Sequence, residues 1–396
     1  MKLLFITLIT TFLTFQSYSQ EDNNMKKADS IIKEVKEKFV PDKRVAIFNV
    51  ETEESGSKII IKGETNLPDA KAELVSLLKE ANLNFEDETE MLPSEKLGDK
   101  TFGIINLSVA NIRSNPDHPA ELATQSLLGT PINVFKKGEN GFYLVQTPDD
   151  YTAWLDDDGF TFMNKEELNN WKESKKIVYL DEYGFSFLQP DINSPHVSDL
   201  VAGNLLKLVG EEENFYKVNY PDGREAFINK DEAKPFDNWY ASLNPTGETI
   251  LNTAYRFMGI PYLWGGTSTK GMDCSGFTKT VYFLNGIVLP RDASQQVYTG
   301  ELVDTKNGWE NLKPGDLLFF GMRAKENRKE RITHVAIYIG DGDFIHAAGR
   351  VRINSFNKNK SYYSQYRDNL FIRAKRILTS VGKNGIDKIL DNNFYK

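Results

Sequence analysis

The sequence of 396 residues predicts a multidomain protein: a small α+β N-terminal domain, two all-β units and an α+β C-terminal domain. Three observations carry that reading. The chain is too long for one hydrophobic core. Its middle holds an internal repeat of short strand patterns. Its last third holds the single cysteine, at a helix start, followed by a strand hairpin bearing two of the four histidines.

At the start, Lys2 precedes an apolar run from Leu3 to Phe15, and Ser17-Tyr18-Ser19 offers small residues of the kind a signal peptidase reads. Residues 1–19 are therefore expected to be a cleavable signal peptide. The run is too short to cross a bilayer core of about 30 Å, so no transmembrane anchor is expected. No cysteine follows it, which argues against a lipoprotein. The mature chain is expected outside the cytoplasm, periplasmic or extracellular, and its one cysteine permits no internal disulfide.

Ala28 to Phe39 and Pro68 to Ala81 read as helices, and Val45 to Thr52 and Lys58 to Gly63 as strands. They make a small α+β domain over 25–95, closed by an acidic linker from Glu86 to Glu95. The repeat follows. Phe142-Tyr143-Leu144-Val145, Pro148-Asp149 and Ala153-Trp154-Leu155 recur as Phe215-Tyr216-Lys217-Val218, Pro221-Asp222 and Ala226-Phe227-Ile228. Short strands between turn signals indicate two all-β units, over 101–165 and 176–235.

The tetrad Asp273-Cys274-Ser275-Gly276 opens a helix expected from Ser275 to Leu284. Unpaired N–H groups and the positive dipole end at a helix start favour thiolate over thiol, so a lowered Cys274 pKa and a nucleophilic role are expected. The competing reading is a buried cysteine acting as a small hydrophobe. Of His118, His196, His334 and His346, the last two share one segment. Thr333 to Gly340 alternates as a half-buried strand, Asp341-Gly342-Asp343 reads as a turn, and Phe344 to Ala347 returns, bringing His346 beside His334. A thiol, a base and an orienting group form a nucleophilic triad. Zinc is the rival reading, but one Cys and two His lack the paired spacing of usual zinc sites, and no metal or organic cofactor is expected.

Charge is unevenly shared. Leu251 to Leu378 holds 19 Lys plus Arg against 11 Asp plus Glu, a net +8, and the rest holds 29 against 45, a net −16. A basic C-terminal domain suits either a carboxylate-rich substrate or attraction between domains. No basic helix, finger or aromatic-basic stripe points to nucleic acid.

Five ordered motifs carry a resemblance. Gly259-Ile260-Pro261-Tyr262-Leu263-Trp264-Gly265-Gly266, Gly271-Met272-Asp273-Cys274-Ser275-Gly276-Phe277, Leu289-Pro290-Arg291-Asp292-Ala293-Ser294-Gln295, Leu312 to Phe320 and His334-Val335-Ala336-Ile337-Tyr338 resemble the NlpC-type cell-wall cysteine peptidases. The resemblance covers 245–378, leaving 379–396 as a tail. It implies a papain-like α+β peptidase domain, preceded by two bacterial Src-homology-3-like barrels.

The resemblance assigns Cys274 as nucleophile, His334 as general base and His346 as its orienter. Tyr262 matches a tyrosine near the oxyanion site, with half-buried packing against Trp264 as the alternative. Trp264, Ser275 and Asp292 match substrate-contacting positions, although Ala293 stands where some relatives carry serine. In relatives that take short peptides with a free N-terminal L-alanine, the first barrel lends a tyrosine and an acidic residue. Tyr151, which lies where the second copy has Arg224, and Glu121 are the candidates. The implied activity is endopeptidase cleavage of peptidoglycan stem peptides, or of the murein tripeptide, between D-γ-glutamate and the diamino acid. A same-fold amidase or acyltransferase, or a wall-binding protein using its barrels, remain alternatives. The sequence leaves oligomeric state and the identity of the diamino acid open.

Overall fold

The computed structural model describes residues 23–55 and 58–396, which form two compact units divided between Gly98 and Asp99. The expected signal peptide lies outside the described residues.

In the first unit, α1 (residues 23–39) buries Ala28, Ile32 and Val35, spaced along one helical face. Strands β1 (Phe48–Ser55) and β2 (Lys58–Thr65) pair antiparallel. Helix α2 (Pro68–Glu80) starts on a proline and buries Ala70, Leu74 and Leu78 against Phe48, Ile59 and Ile61. The chain then returns as β3 (Phe85–Met91), parallel to β2. The segment expected as an acidic linker is thus largely a strand. Thr89 is buried while Glu86, Asp87 and Glu88 stay exposed, and Lys58 and Lys71 pair with Glu86 and Asp87 at 3.5 and 3.3 Å. Sheet pairing overrides the polar composition of an edge strand.

The second unit begins with seven strands: β4 (Phe102–Ile105), β5 (Val109–Arg113), β6 (Leu122–Leu127), β7 (Pro131–Lys137), β8 (Phe142–Gln146), β9 (Thr152–Asp156) and β10 (Phe160–Met163). After helix α3 (Lys165–Glu173) come seven more: β11 (Lys176–Tyr179), β12 (Tyr183–Phe187), β13 (His196–Val201), β14 (Leu205–Glu212), β15 (Phe215–Asn219), β16 (Glu225–Asn229) and β17 (Ala233–Pro235). The two sheets have the same order. The first runs β10-β4-β7-β8-β9-β5-β6 and the second, read in the same sense, β17-β11-β14-β15-β16-β12-β13. Even the irregularities recur, with register shifts between Val134 and Lys136 and between Leu208 and Gly210. Tyr151 and Arg224 occupy matching turn positions, since their carbonyls accept the Thr147 and Tyr220 N–H groups at 3.0 and 2.8 Å.

Helices α4 (Phe236–Ala241) and α5 (Gly247–Arg256) lead into the C-terminal domain. There follow β18 (Thr267–Ser268), β19 (Gly271–Met272), α6 (Cys274–Phe283), β20 (Ile287–Val288), α7 (Ala293–Gln296) and β21 (Glu301–Val303). Then come β22 (Leu317–Met322), β23 (Arg331–Gly340), β24 (Asp343–Ala348), β25 (Arg350–Ser355), α8 (Gln365–Leu370), β26 (Phe371–Arg376) and β27 (Asp387–Lys388). The main sheet runs β21-β26-β22-β23-β24-β25.

Strand β23 departs from the expected half-buried pattern. Val335 and Ile337 pack with Phe277 and Val281 of α6, while Ala336 and Tyr338 pack with Phe344, Phe356 and Phe371 on the other face. Both faces are covered. The turn forms as expected, with Asp341 and Gly342 at φ 50° and 75°. The expected tail is also packed. β27 pairs with β20, Ile386 and Ile389 are fully buried, and the Asn392 amide donates to the Pro148 carbonyl at 2.9 Å.

Candidate active site

Cys274 is the first residue of α6, one position earlier than the sequence pattern places the helix start, and Asp273 is its N-cap. The Asp273 carboxylate accepts the Gly276 N–H at 2.7 Å, the Ser275 hydroxyl at 3.2 Å and the Gly265 N–H at 3.0 Å. Arg291, fully buried, donates to the same carboxylate at 2.6 Å and to the Ser275 hydroxyl at 3.1 Å. Two glycines permit this closeness. A Cβ on Gly276 would lie 2.0 Å from the Gly266 carbonyl oxygen, and one on Gly265, at φ +78°, would lie 2.2 Å from the Leu122 carbonyl oxygen.

The first barrel therefore builds part of the wall behind the thiol. Thr124 accepts from Arg291 Nε at 2.8 Å, and Gln125 accepts the Thr267 N–H at 3.0 Å. At the rim, exposed Trp264 donates its indole N–H to Glu121 at 2.6 Å. Tyr151 is 8% exposed and lies within electrostatic reach of Arg291. Of the residues expected to contact substrate, Glu121 and Trp264 thus meet at 2.6 Å, and Tyr151 lies near Arg291. Ser275 is buried and its hydroxyl is engaged by Asp273 and Arg291. Asp292 is half-buried and caps α7. Tyr262 is half-buried too, and burial, then the Cys274 and Asp273 charges, hold its phenol above the ordinary value.

The Val335 N–H hydrogen-bonds the Cys274 sulfur, and His334 is the preceding residue of β23. His334 Nε2 lies 2.7 Å from His346 Nδ1, and His346 Nε2 lies 2.9 Å from Asn354 Oδ1. Asn354 Nδ2 donates to the Tyr362 carbonyl at 2.9 Å, so its Oδ1 is the atom turned to His346. The protons follow by elimination. His346 donates from Nε2 to Asn354 and accepts at Nδ1 from His334 Nε2–H. That leaves His334 Nδ1 as the lone-pair atom. Asn354 was not singled out in the sequence, because only the β24–β25 register brings it within reach of His346. His118 and His196 serve elsewhere, at Asp156 (3.2 Å) and stacked on Phe185 (3.8 Å).

The electrostatics correct one expectation. Burial, then the Asp273 carboxylate, push the Cys274 thiol up to about 11, despite the opposing N–H groups of Val335 and Ser275 and the charge of Arg291. Burial, then His346, hold His334 well below 6.5, and burial brings His346 down to about 3. The helix start alone argues for thiolate, but Cys274 is 7% exposed within the apolar core and its cap is an anion. Burial thus favours the neutral thiol of Cys274 and the neutral imidazole of His334. Such a pair can transfer the thiol proton as the sulfur attacks a carbonyl.

Residues 259–371 match the NlpC/P60 family, and residues 112–160 match the bacterial dipeptidyl-peptidase Sh3 domain. The chain is 35% identical over 235 residues to gamma-D-glutamyl-L-lysine dipeptidyl-peptidase of Bacillus cereus, covering 57% of this chain and 67% of that protein. It is 38% identical over 143 residues to the protein of the same name from Bacillus subtilis, covering 36% of this chain and 44% of that one. A crystal structure of an NlpC/P60 family protein from Bacillus cereus superposes with a TM-score of 0.59 at 25% identity, covering 70% of this chain and 99% of the other. The chain carries its Sh3-type domain ahead of the peptidase domain, and it belongs to the NlpC/P60 family of cysteine peptidases.

Proposed function

We propose that the chain is an exported endopeptidase that hydrolyses the γ-D-glutamyl–diamino acid bond of peptidoglycan stem peptides, preferring those with a free N-terminal L-alanine. The names of the two Bacillus relatives support the bond. The observation that carries the chemistry is the His334–His346–Asn354 relay, which leaves the lone pair of His334 on Nδ1, one residue before the Val335 N–H that bonds the Cys274 sulfur.

In the proposed reaction the Cys274 sulfur attacks the γ-carbonyl carbon of D-glutamate while its proton passes to His334 Nδ1. Tyr262, protonated at any working pH, donates a hydrogen bond to the developing oxyanion. His334 returns the proton to the leaving amine of the diamino acid, and a γ-glutamyl thioester remains. Water then attacks, giving its proton to His334, and the thiol is restored as the L-Ala-D-Glu acid leaves. His346 and Asn354 hold the His334 tautomer throughout.

Selection for a free amino terminus is assigned to Glu121, with Tyr151 shaping the same side. Trp264 donates to Glu121 Oε1, and an ammonium would take the other carboxylate oxygen. Trp264 and Asp292 line the approach, while Ser275 acts through the Asp273–Arg291 network. A charged acceptor of this kind admits a peptide released from sugar and rejects one still amide-linked to it. Mass analysis of products from defined muropeptides tests the reading. Free diamino acid and L-Ala-D-Glu support it; cleavage at any other bond moves the enzyme to the amidase or acyltransferase alternative.

A further inference from the structure

Arg367, on α8, is absent from every motif of the sequence, yet its charge is felt at the reacting groups. It is half-buried, with its carbon 5.8 Å from the Phe320 ring centre, and Phe320 lies 5.7 Å from the His334 ring. It acts electrostatically on Cys274, Tyr262, His334 and His346. Arg352 joins it, paired with His346 across β24 and β25. Among the described residues Arg367 has no carboxylate partner; burial weakens its hold on its proton, and the neighbouring Arg352 adds repulsion. A partly desolvated guanidinium without a counter-anion is costly, and an anionic ligand would relieve it.

The side of the cleft identifies which anion. In the proposed mechanism His334 hands its proton to the leaving amine, so groups beside the histidines lie on the leaving-group side. The carbon bearing that amine also bears the α-carboxyl of the diamino acid. We propose that Arg367, with Arg352 at the rim, binds the free α-carboxylate of the diamino acid, so that the preferred substrate ends at that residue. The enzyme then reads both ends of a tripeptide, an ammonium at Glu121 and a carboxylate at Arg367. Such a carboxylate is free only when nothing follows the diamino acid, so a carboxypeptidase-type cleavage must supply the substrate.

The inference rests on the γ-glutamyl reading, and the test separates the two. Cleavage of L-Ala-γ-D-Glu-L-Lys is compared with that of its C-terminal carboxamide. For the wild type, kcat/KM for the free acid should exceed that for the amide by about ten- to hundredfold, the range of a charge-assisted hydrogen bond. Arg367→Gln should bring the ratio close to one, and Arg367→Lys should retain part of it. If Arg367 only tunes His334, the Gln variant slows both peptides alike and the ratio survives, which overturns the inference. A wild-type ratio near one also overturns it while the γ-glutamyl reading stands. Cleavage of neither peptide at the glutamyl-lysine bond overturns both.

Discussion

His346 Nε2 stands 2.9 Å from Asn354 Oδ1, and this contact sets the proton positions of the whole relay. Because the Asn354 amide nitrogen is committed to the Tyr362 carbonyl, His346 must donate, and His334 keeps its lone pair on Nδ1.

Asn354→Ala should therefore lower kcat by about ten- to hundredfold with little change in KM, since it frees the tautomer without touching substrate. His346→Asn or Gln should keep partial activity, because either side chain can still accept from His334 Nε2. Steady-state kinetics check both, and an Asn354→Ala enzyme with wild-type kcat would remove the asparagine from the relay.

The raised thiol reverses the reactivity that a helix start suggests. Iodoacetamide should alkylate native Cys274 more slowly at pH 7 than it alkylates a free cysteine, with the rate rising toward about pH 11. Rapid alkylation at pH 6 would show a thiolate–imidazolium pair instead.

Stability should depend on the two histidines. Their folded values lie below the unfolded value near 6.5, so the unfolded chain binds more protons as pH falls. The stability they contribute is complete above pH 6.5 and is lost as pH drops from there toward their folded values, by up to about 1.4 kcal/mol per pH unit for each histidine that must stay neutral. Denaturant titrations at pH 7 and pH 5 should show the loss in the wild type, and a smaller one in His346→Asn. Equal losses in both proteins would contradict this.

Arg291 and Asp273 form a buried pair that ties Thr124 of the first barrel to the nucleophile's cap. Removing one partner leaves a buried charge, so Arg291→Met should cost about 3 to 5 kcal/mol in equilibrium unfolding. A cost under about 1 kcal/mol would mean that water reaches the pair.

Glu121→Gln should erase most of the preference for a free over an N-acetylated L-alanine, about ten- to hundredfold, while its amide oxygen can still accept from Trp264. Equal cleavage of both peptides by the wild type would reduce Glu121 to a rim contact.

How much of this was legible follows from what each residue depends on. Cys274, His334 and His346 lie in local patterns, a helix start and one hairpin, and the hairpin's turn residues announce themselves. Asn354 and Arg367 gain their positions from strand register and from packing of α8 on β22, which no local spacing encodes. The thiol expectation failed because burial is a tertiary property. Asp273 was visible in the sequence, but that an apolar core would enclose Cys274 and outweigh the helix dipole was not. The acidic β3 was missed for a related reason, since one buried threonine and a parallel partner hold it in place of an alternating apolar pattern.

The most direct test of the central claim is release of free lysine from L-Ala-γ-D-Glu-L-Lys by the wild type and by Cys274→Ala, both shown to be folded. The account predicts turnover by the wild type and a loss of at least about ten-thousandfold in the variant, because the sulfur forms the bond that replaces the scissile amide. Lysine release by Cys274→Ala at the wild-type rate would contradict it.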